Sequence, residues 1–239
     1  RHVQTAILAT YRNDFGKYCN VAKHKYLEAL FAKSPEIIAQ QFRYVNVARD
    51  MQARDIKEAL NNLNRAGLIS QIFSVNATGL PLKAAIHEKR FKLLFLDLGL
   101  ISASLQQDVQ LMTDPQHVWT NRGALAEQFV GQECLAYQDA YLEPELYYWS
   151  RDERGSTAEV DYLLQVDAHI LPVEVKAGST GKMKSLHMFM ASHQSPWGIR
   201  ISTLPLYRDQ AILSIPFYLV SELKRLVRCL GVKGKPPFN

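Results

Sequence analysis

The chain has 239 residues, 47% of them hydrophobic, enough to bury a core in one large domain or two modest ones. No apolar run approaches the ~18 residues of a membrane span, and the N-terminus lacks the regions of a signal peptide, so a soluble, cytoplasmic protein with no membrane partner is expected. Cys19, Cys134 and Cys229 are odd in number, far apart and in no CxxC pair, which argues against a disulfide framework or a zinc site.

The net charge of +5 is uneven: residues 1–114 hold 15 Lys+Arg against 10 Asp+Glu, and residues 115–239 hold 13 of each. The basic excess of the first half permits a polyanion partner such as DNA without demanding one. The chain opens on Arg1 inside a helical pattern, and a piece of a longer protein is expected.

Residues 3–18, VQTAILATYRNDFGKY, space Val3, Ile7, Leu8, Tyr11 and Phe15 at helical intervals, and Gly16 can end the turn. Residues 22–32 and 35–42 read as two more helices, the second with Ser34 as N-cap and Pro35 at its first position. In MQARDIKEALNNLNRAGLI, Ile56, Ala59, Leu60 and Leu63 form one stripe, and Gly67 sits where a C-cap glycine belongs. LISQIFSV and FKLLFLDLGL then read as strands flanking the turn-rich NATGLPL. Helices followed by a β hairpin give the order of a winged helix-turn-helix. Its last helix would be the reader, offering Arg54, Lys57, Asn61, Asn62 and Arg65 to phosphates and base edges. The competing reading of that face is a solvated surface.

Residues 106–120 lose periodicity and contain Pro115, which marks a domain boundary. Beyond it a helix is expected at 121–138, strands near 145–150, 159–165 and 170–176, and a helix at 182–193. A strand at 197–202, a short apolar segment and a helix from about 216 to 229 complete the order. The polar end GVKGKPPFN reads as a frayed tail. The expected class is α/β (α+β), with a helical and winged-helix domain at 1–114, an α-βββ-α-β domain at 115–230 and a tail at 231–239.

The stretch AEVDYLLQVDAHILPVEVKAG threads charges through two apolar strands. Because strand side chains alternate, Val160, Tyr162 and Leu164 should share one face, and Glu159, Asp161 and Leu163 the other. With Asp167 and Ala168 as the central turn residues, pairing positions sum to 335, which sets Asp161 opposite Glu174. Two facing carboxylates repel, and a divalent cation removes the conflict; hard oxygen ligands favour Mg²⁺ or Mn²⁺. Lys176, on the side of Glu174, can act on an attacking water or steady charge developing on phosphorus. A third carboxylate is offered by Glu127, at the border of the buried stripe Ala126, Phe129, Val130 and Cys134 in GALAEQFVGQE. The bland reading of E-x-K is a solvent-facing pair. Lys182 and Lys184 stand near enough in sequence to meet phosphates, and Ser185 reads as a helix-start residue.

These residues resemble the PD-(D/E)xK restriction-endonuclease-like superfamily, with Asp161, Glu174 and Lys176 on its catalytic positions and Glu127 on the helix acid. Val160 replaces the usual proline. YRNDFGKY, GLPL, FKLLFLDLGL, GALAEQFVGQE, YYW, EVDYLL, PVEVKAG and KSLHMF together look like the C-terminal region of prokaryotic AAA-type ATPases that carry a domain of unknown function after the ATPase module. The resemblance implies that Glu127, Asp161 and Glu174 hold Mg²⁺ or Mn²⁺. It also implies that the chain's own ATPase domain is a partner, and that ATP enters only through that missing module. KAGSTGKM, 176–183, fails as a phosphate-binding loop: Lys176 stands where the first glycine belongs and Met183 where Ser or Thr would hold Mg²⁺. Metal-dependent phosphodiester hydrolysis on nucleic acid is the leading expectation, and a non-catalytic nucleic-acid- or protein-binding module the alternative.

Overall fold

The computed structural model describes residues 1–17, 20–106, 122–151 and 157–231. The expected boundary around Pro115, Cys19 and the tail beyond 231 lie outside the described residues. The chain forms two compact units, residues 1–71 with 91–129, and residues 72–90 with 130–239. Among the described residues no helix is long and apolar enough to cross a membrane.

The first unit begins with α1 (His2–Asp14), α2 (Val21–Lys33) and α3 (Ala53–Arg65). Leu8, Phe15, Leu27, Leu30 and Phe31 are buried, as are Ile56, Ala59, Leu60 and Leu63, the stripe expected on α3. Phe15 meets Phe31 edge-on at 5.2 Å between centroids, and Phe31 lies 5.4 Å from Phe95. Aromatic pairs at this spacing add about 0.5–1.5 kcal/mol each beyond the area they bury. Gly67 takes φ +71°, the left-handed value that ends a helix at little cost to glycine.

Residues 35–42 do not form the expected helix. Only a 3-10 turn forms, Ser34–Glu36. The Ser34 hydroxyl donates back to the Leu30 carbonyl at 2.7 Å instead of capping forward, and Ala39 takes φ +58°, which breaks any helix. Adjacent Ile37 and Ile38 are both buried, a pattern of irregular chain rather than of one helical face.

The hairpin strands are β1 (Ile69–Val75) and β2 (Ile86–Phe95). FKLLFLDLGL was expected as strand throughout; it changes at Asp97, whose carboxylate accepts from the Leu100 N–H at 3.0 Å and opens α4 (Leu98–Ser104). Asp favours that cap position, so the local signal outweighs the apolar run.

After α5 (Arg122–Ala136) the chain adds β3 (Tyr147–Ser150), β4 (Glu159–Val166), β5 (His169–Val175), α6 (Lys184–His193), β6 (Gly198–Ser202), β7 (Tyr207–Asp209) and β8 (Ile212–Pro216). Among the described residues eight strands form one mixed sheet in the order β2-β1-β3-β4-β5-β6-β8-β7. Pairing is antiparallel for β3/β4, β4/β5 and β7/β8, and parallel for β1/β3, β5/β6 and β6/β8. The mixed α+β class matches the sequence reading, and the expected meander β3-β4-β5 lies at its centre. The expected last helix is instead three short pieces, a 3-10 turn at Phe217–Glu222, α7 (Leu223–Leu226) and a π turn at Val227–Gly231.

In the second unit Phe189 of α6 is buried against the sheet with Val75, Tyr147, Trp149, Val160 and Leu163. A Cβ added at Gly198 would meet Met190 and Leu186 of α6 at 2.7 and 3.1 Å, so the Gly198 face of β6 is the one under this helix.

Gln128 is fully buried in the first unit, donating to the Phe95 carbonyl at 2.7 Å and accepting from the Phe95 N–H at 2.9 Å, where the last residue of β2 leaves its ladder. Gln128→Leu strands both backbone groups in an apolar site, and each such loss costs about 1–3 kcal/mol. Urea unfolding is expected to show a lower midpoint with an unchanged slope.

Candidate functional site

The hairpin turn is Asp167–Ala168, and the ladder from Val166–His169 to Tyr162–Val173 keeps the sum of 335. Asp167 takes φ +55°, a positive value of the kind tight hairpin turns need, and one that Asp tolerates better than most residues. Asp161 follows Tyr162 in this register and Glu174 follows Val173.

The expected alternation on β4 fails beside that point. Trp149 pairs with Val160 and Tyr147 with Leu163, so Asp161 and Tyr162 together oppose Tyr148 alone. This is a β-bulge, and it puts Val160 and Leu163 on one face, contrary to the parity reading. The β4/β5 ladder stops there, and the carboxylate of Asp161 takes over from the backbone: its Oδ2 accepts from the Val175 N–H at 2.7 Å. A side chain thus closes the gap the bulge opens, which fixes the direction of the carboxylate.

Glu174 is 7% exposed on an interior strand. Its Oε1 accepts from Lys176 Nζ at 2.6 Å, as an ion pair must where water is scarce. The Lys176 N–H continues the sheet by donating to the Ile201 carbonyl at 2.8 Å. Its aliphatic stem runs along Gly181, where an added Cβ would stand 2.8 Å from Lys176 Cδ. Gly181 takes φ +140°, a conformation open to glycine alone in practice.

Arg200 was not among the sequence candidates. It pairs in register with Glu174 across β5/β6, is 7% exposed, and donates from Nη2 to the Ser179 carbonyl at 2.7 Å. The signal was available: an arginine inside the apolar strand GIRIS is as anomalous as Glu174 inside PVEV. Asp161, Glu174, Lys176 and Arg200 thus gather where β5 ends, the edge of parallel strands at which open α/β sheets bind ligands.

The other expected residues belong to other elements. Glu127, in the first unit, accepts from buried Lys92 at 2.7 Å. Among the described residues no group of three or more His, Cys, Asp or Glu side chains is placed to hold a metal ion. Lys182 and Lys184 are exposed at the start of α6, and the Ser185 hydroxyl accepts from the Glu159 N–H at 3.3 Å, binding the helix to β4 rather than capping it. In the first unit Arg54, Lys57, Asn61 and Arg65 are exposed on the side of α3 away from its buried stripe, and Asn62 is half-buried. Burial pushes the Cys134 thiol up to about 12, which removes it as a nucleophile near neutral pH.

A second polar cleft lies at the turn end of the hairpin, lined among others by Lys83, Glu145, Tyr147, Asp167, Lys224 and Arg228. Lys83 pairs with Glu145, and Arg228 lies 3.1 Å from Asp167. The hydrogen bond from Lys83, then that from Tyr147, holds the Glu145 carboxyl below its ordinary range. Lys83, Glu145, Tyr147, Asp167 and Arg228 thus bond one another.

Gly181 offers a clean probe of the lysine. Gly181→Ala forces both a strained φ and a clash with the Lys176 stem, whereas Gly178→Ala meets nothing within 4 Å. Thermal unfolding is expected to show Gly181→Ala destabilised by more than about 1 kcal/mol and Gly178→Ala within about 0.5 kcal/mol of the parent chain.

Residues 122–218 match the family described as Domain of unknown function (DUF4143), which is found in AAA-ATPase-associated proteins. Residues 1–111 match the family described as Domain of unknown function (DUF8612). No curated protein and no solved structure matches the chain.

Proposed function

We propose that the second unit hydrolyses phosphodiester bonds of nucleic acid with the help of Mg²⁺ or Mn²⁺, as part of an AAA-type ATPase. The observation that carries this reading is the Lys176–Glu174 pair, held beside Asp161 at the carboxyl end of a central strand. The donors suit a hard dication: two carboxylates, Asp161 bound to the N–H of the residue after Glu174, match the one or two that Mg²⁺ takes while keeping waters. Asp161 and Glu174 would hold it, and when bound it would supply Lewis acidity at a phosphoryl oxygen. Asp161 contributes a direction, because its bond to the Val175 N–H leaves it little freedom to swing. Lys176 contributes a positive charge held in place by Glu174 and Gly181, which needs no reorganisation as negative charge develops on phosphorus. Arg54, Lys57, Asn61 and Arg65 of α3 would contact DNA phosphates, a role for which their exposure and chemistry suit them.

A second reading is favoured by the same ion pair. Glu174 is already neutralised by Lys176, the usual condition of a structural carboxylate in a core. In that reading the unit binds nucleic acid or a protein and cleaves nothing.

Incubating the chain with plasmid and single-stranded DNA in Mg²⁺ or Mn²⁺ separates the two. Asp161→Asn is preferable to Asp161→Ala, since it removes charge and keeps an acceptor for the Val175 N–H. Cleavage by the parent chain, reduced about 10²–10³-fold in Asp161→Asn and in Lys176→Met, is the expected outcome. Absence of cleavage in both metals, or equal cleavage by all three proteins, rejects the nuclease reading.

A further inference from the structure

Arg200 is buried and, among the described residues, no carboxylate lies within ion-pair distance of it; its one hydrogen bond is to the Ser179 carbonyl, and its Nε makes none. A guanidinium keeps its charge in proteins, so burial does not remove the need for a partner. Buried arginine is ordinarily paired, and a buried donor left unmade costs about 1–3 kcal/mol.

The next strand repeats the anomaly. Ser214 of β8 pairs in register with Arg200, is fully buried, and its Oγ also makes no hydrogen bond. In parallel register, residues paired across strands share a face, so Glu174, Arg200 and Ser214 form a row across β5, β6 and β8. Gly198 fixes that face as the one under α6. The row also lies near the loop after Lys176, because Arg200 reaches Ser179 three residues downstream. Two neighbouring donors, one of them permanently charged, lack an acceptor at the edge of the candidate site.

We propose that Arg200 and Ser214 form an anion site that takes a phosphate oxygen, Arg200 Nε and the Ser214 hydroxyl both donating to it. The chemical class is a tetrahedral phosphate, free or within a nucleic-acid backbone. A planar guanidinium edge suits such an oxyanion, and the pairing would satisfy the buried Nε. The assignment of a backbone phosphate rests on the nuclease reading; the anion site itself does not. It sets Arg200 beside Glu174 as a substrate-binding residue, with the phosphate on the basic side of the row and the carboxylates on the other.

The test uses the full chain and reads binding without cleavage. Fluorescence anisotropy of labelled single-stranded and duplex oligonucleotides in Ca²⁺ is measured for the parent chain, Arg200→Lys, Arg200→Met and Ser214→Ala, with inorganic phosphate as competitor. Thermal unfolding in phosphate and in chloride at equal ionic strength is recorded beside it. We expect phosphate to raise the Tm of the parent chain and to compete with the oligonucleotide, and Arg200→Met to bind oligonucleotide about 10- to 100-fold more weakly, as loss of a charged hydrogen bond predicts. If Arg200→Met fails to fold, Ser214→Ala carries the test, with a loss of roughly threefold or more and no Tm response to phosphate. Phosphate without effect on the Tm of the parent chain, or a Tm response to phosphate and oligonucleotide affinities that are both equal in all folded variants, overturns the site. Stabilisation by phosphate without oligonucleotide competition keeps the anion site and identifies free phosphate as its ligand. Arg200-dependent binding with no cleavage in Mg²⁺ keeps it and rejects the nuclease reading, whereas cleavage with Arg200-independent binding does the reverse.

Discussion

A carboxylate on an interior strand is the constraint on which the rest of the second unit turns. Glu174 lies between β4 and β6, where a valine would pack without penalty, and a charge so placed must be compensated. Lys176 supplies the compensation from two residues away on the same strand face. Removing one partner of such a pair typically costs about 3–5 kcal/mol, while replacing both with apolar groups is often neutral or better. Stability alone therefore gives no reason for the pair. It does explain why the surroundings are so constrained: Gly181 must lack a side chain so that the lysine stem can lie flat, and the chain after β5 must turn as it does to bring Gly181 there.

The bulge on β4 serves the same end. A regular strand would have continued the β4/β5 ladder past Asp161 and offered Val175 a backbone carbonyl. With Asp161 and Tyr162 sharing one partner residue, the ladder stops and a carboxylate makes that bond. One extra residue thus converts a position of ordinary sheet into a second acid beside Glu174. The strain is local, because both flanks of the bulge remain paired, to Tyr147 and Trp149 on one side and to Val173 on the other.

What could be read from the sequence follows the range of the interactions concerned. The α3 stripe and the hairpin register depend on residues within one element or across one turn, and both were recoverable from spacing alone. The bulge could not be, since it is defined by the count on β3, a strand whose pairing the β4 sequence does not contain. Arg200 was visible as an anomaly inside GIRIS, but setting it beside Glu174 required knowing that β6 lies next to β5 in parallel, a contact made through the whole of α6. The missed helix at 35–42 and the unforeseen helix α4 have opposite local causes. Ser34 bonded backward where a forward cap was expected, and Asp97 capped where an apolar run suggested strand.

Charge across the sheet has a direction as well as a sum. Asp161 and Glu174 against Lys176 and Arg200 cancel, so net charge attracts neither cation nor anion to this edge. Their order decides instead: the acids stand on β4 and β5, the lysine at the end of β5, and the arginine and serine on β6 and β8. Neighbouring strands lie about 4.8 Å apart, so the separation of sign extends over roughly 10–15 Å, a distance over which charges in a poorly solvated site still interact. A ligand carrying negative charge toward β6 and β8, with positive charge accompanying it toward β4, matches that polarity in one orientation. At the proposed site a reversed ligand would set like charges together on both sides, so the sheet order itself would select the direction of binding.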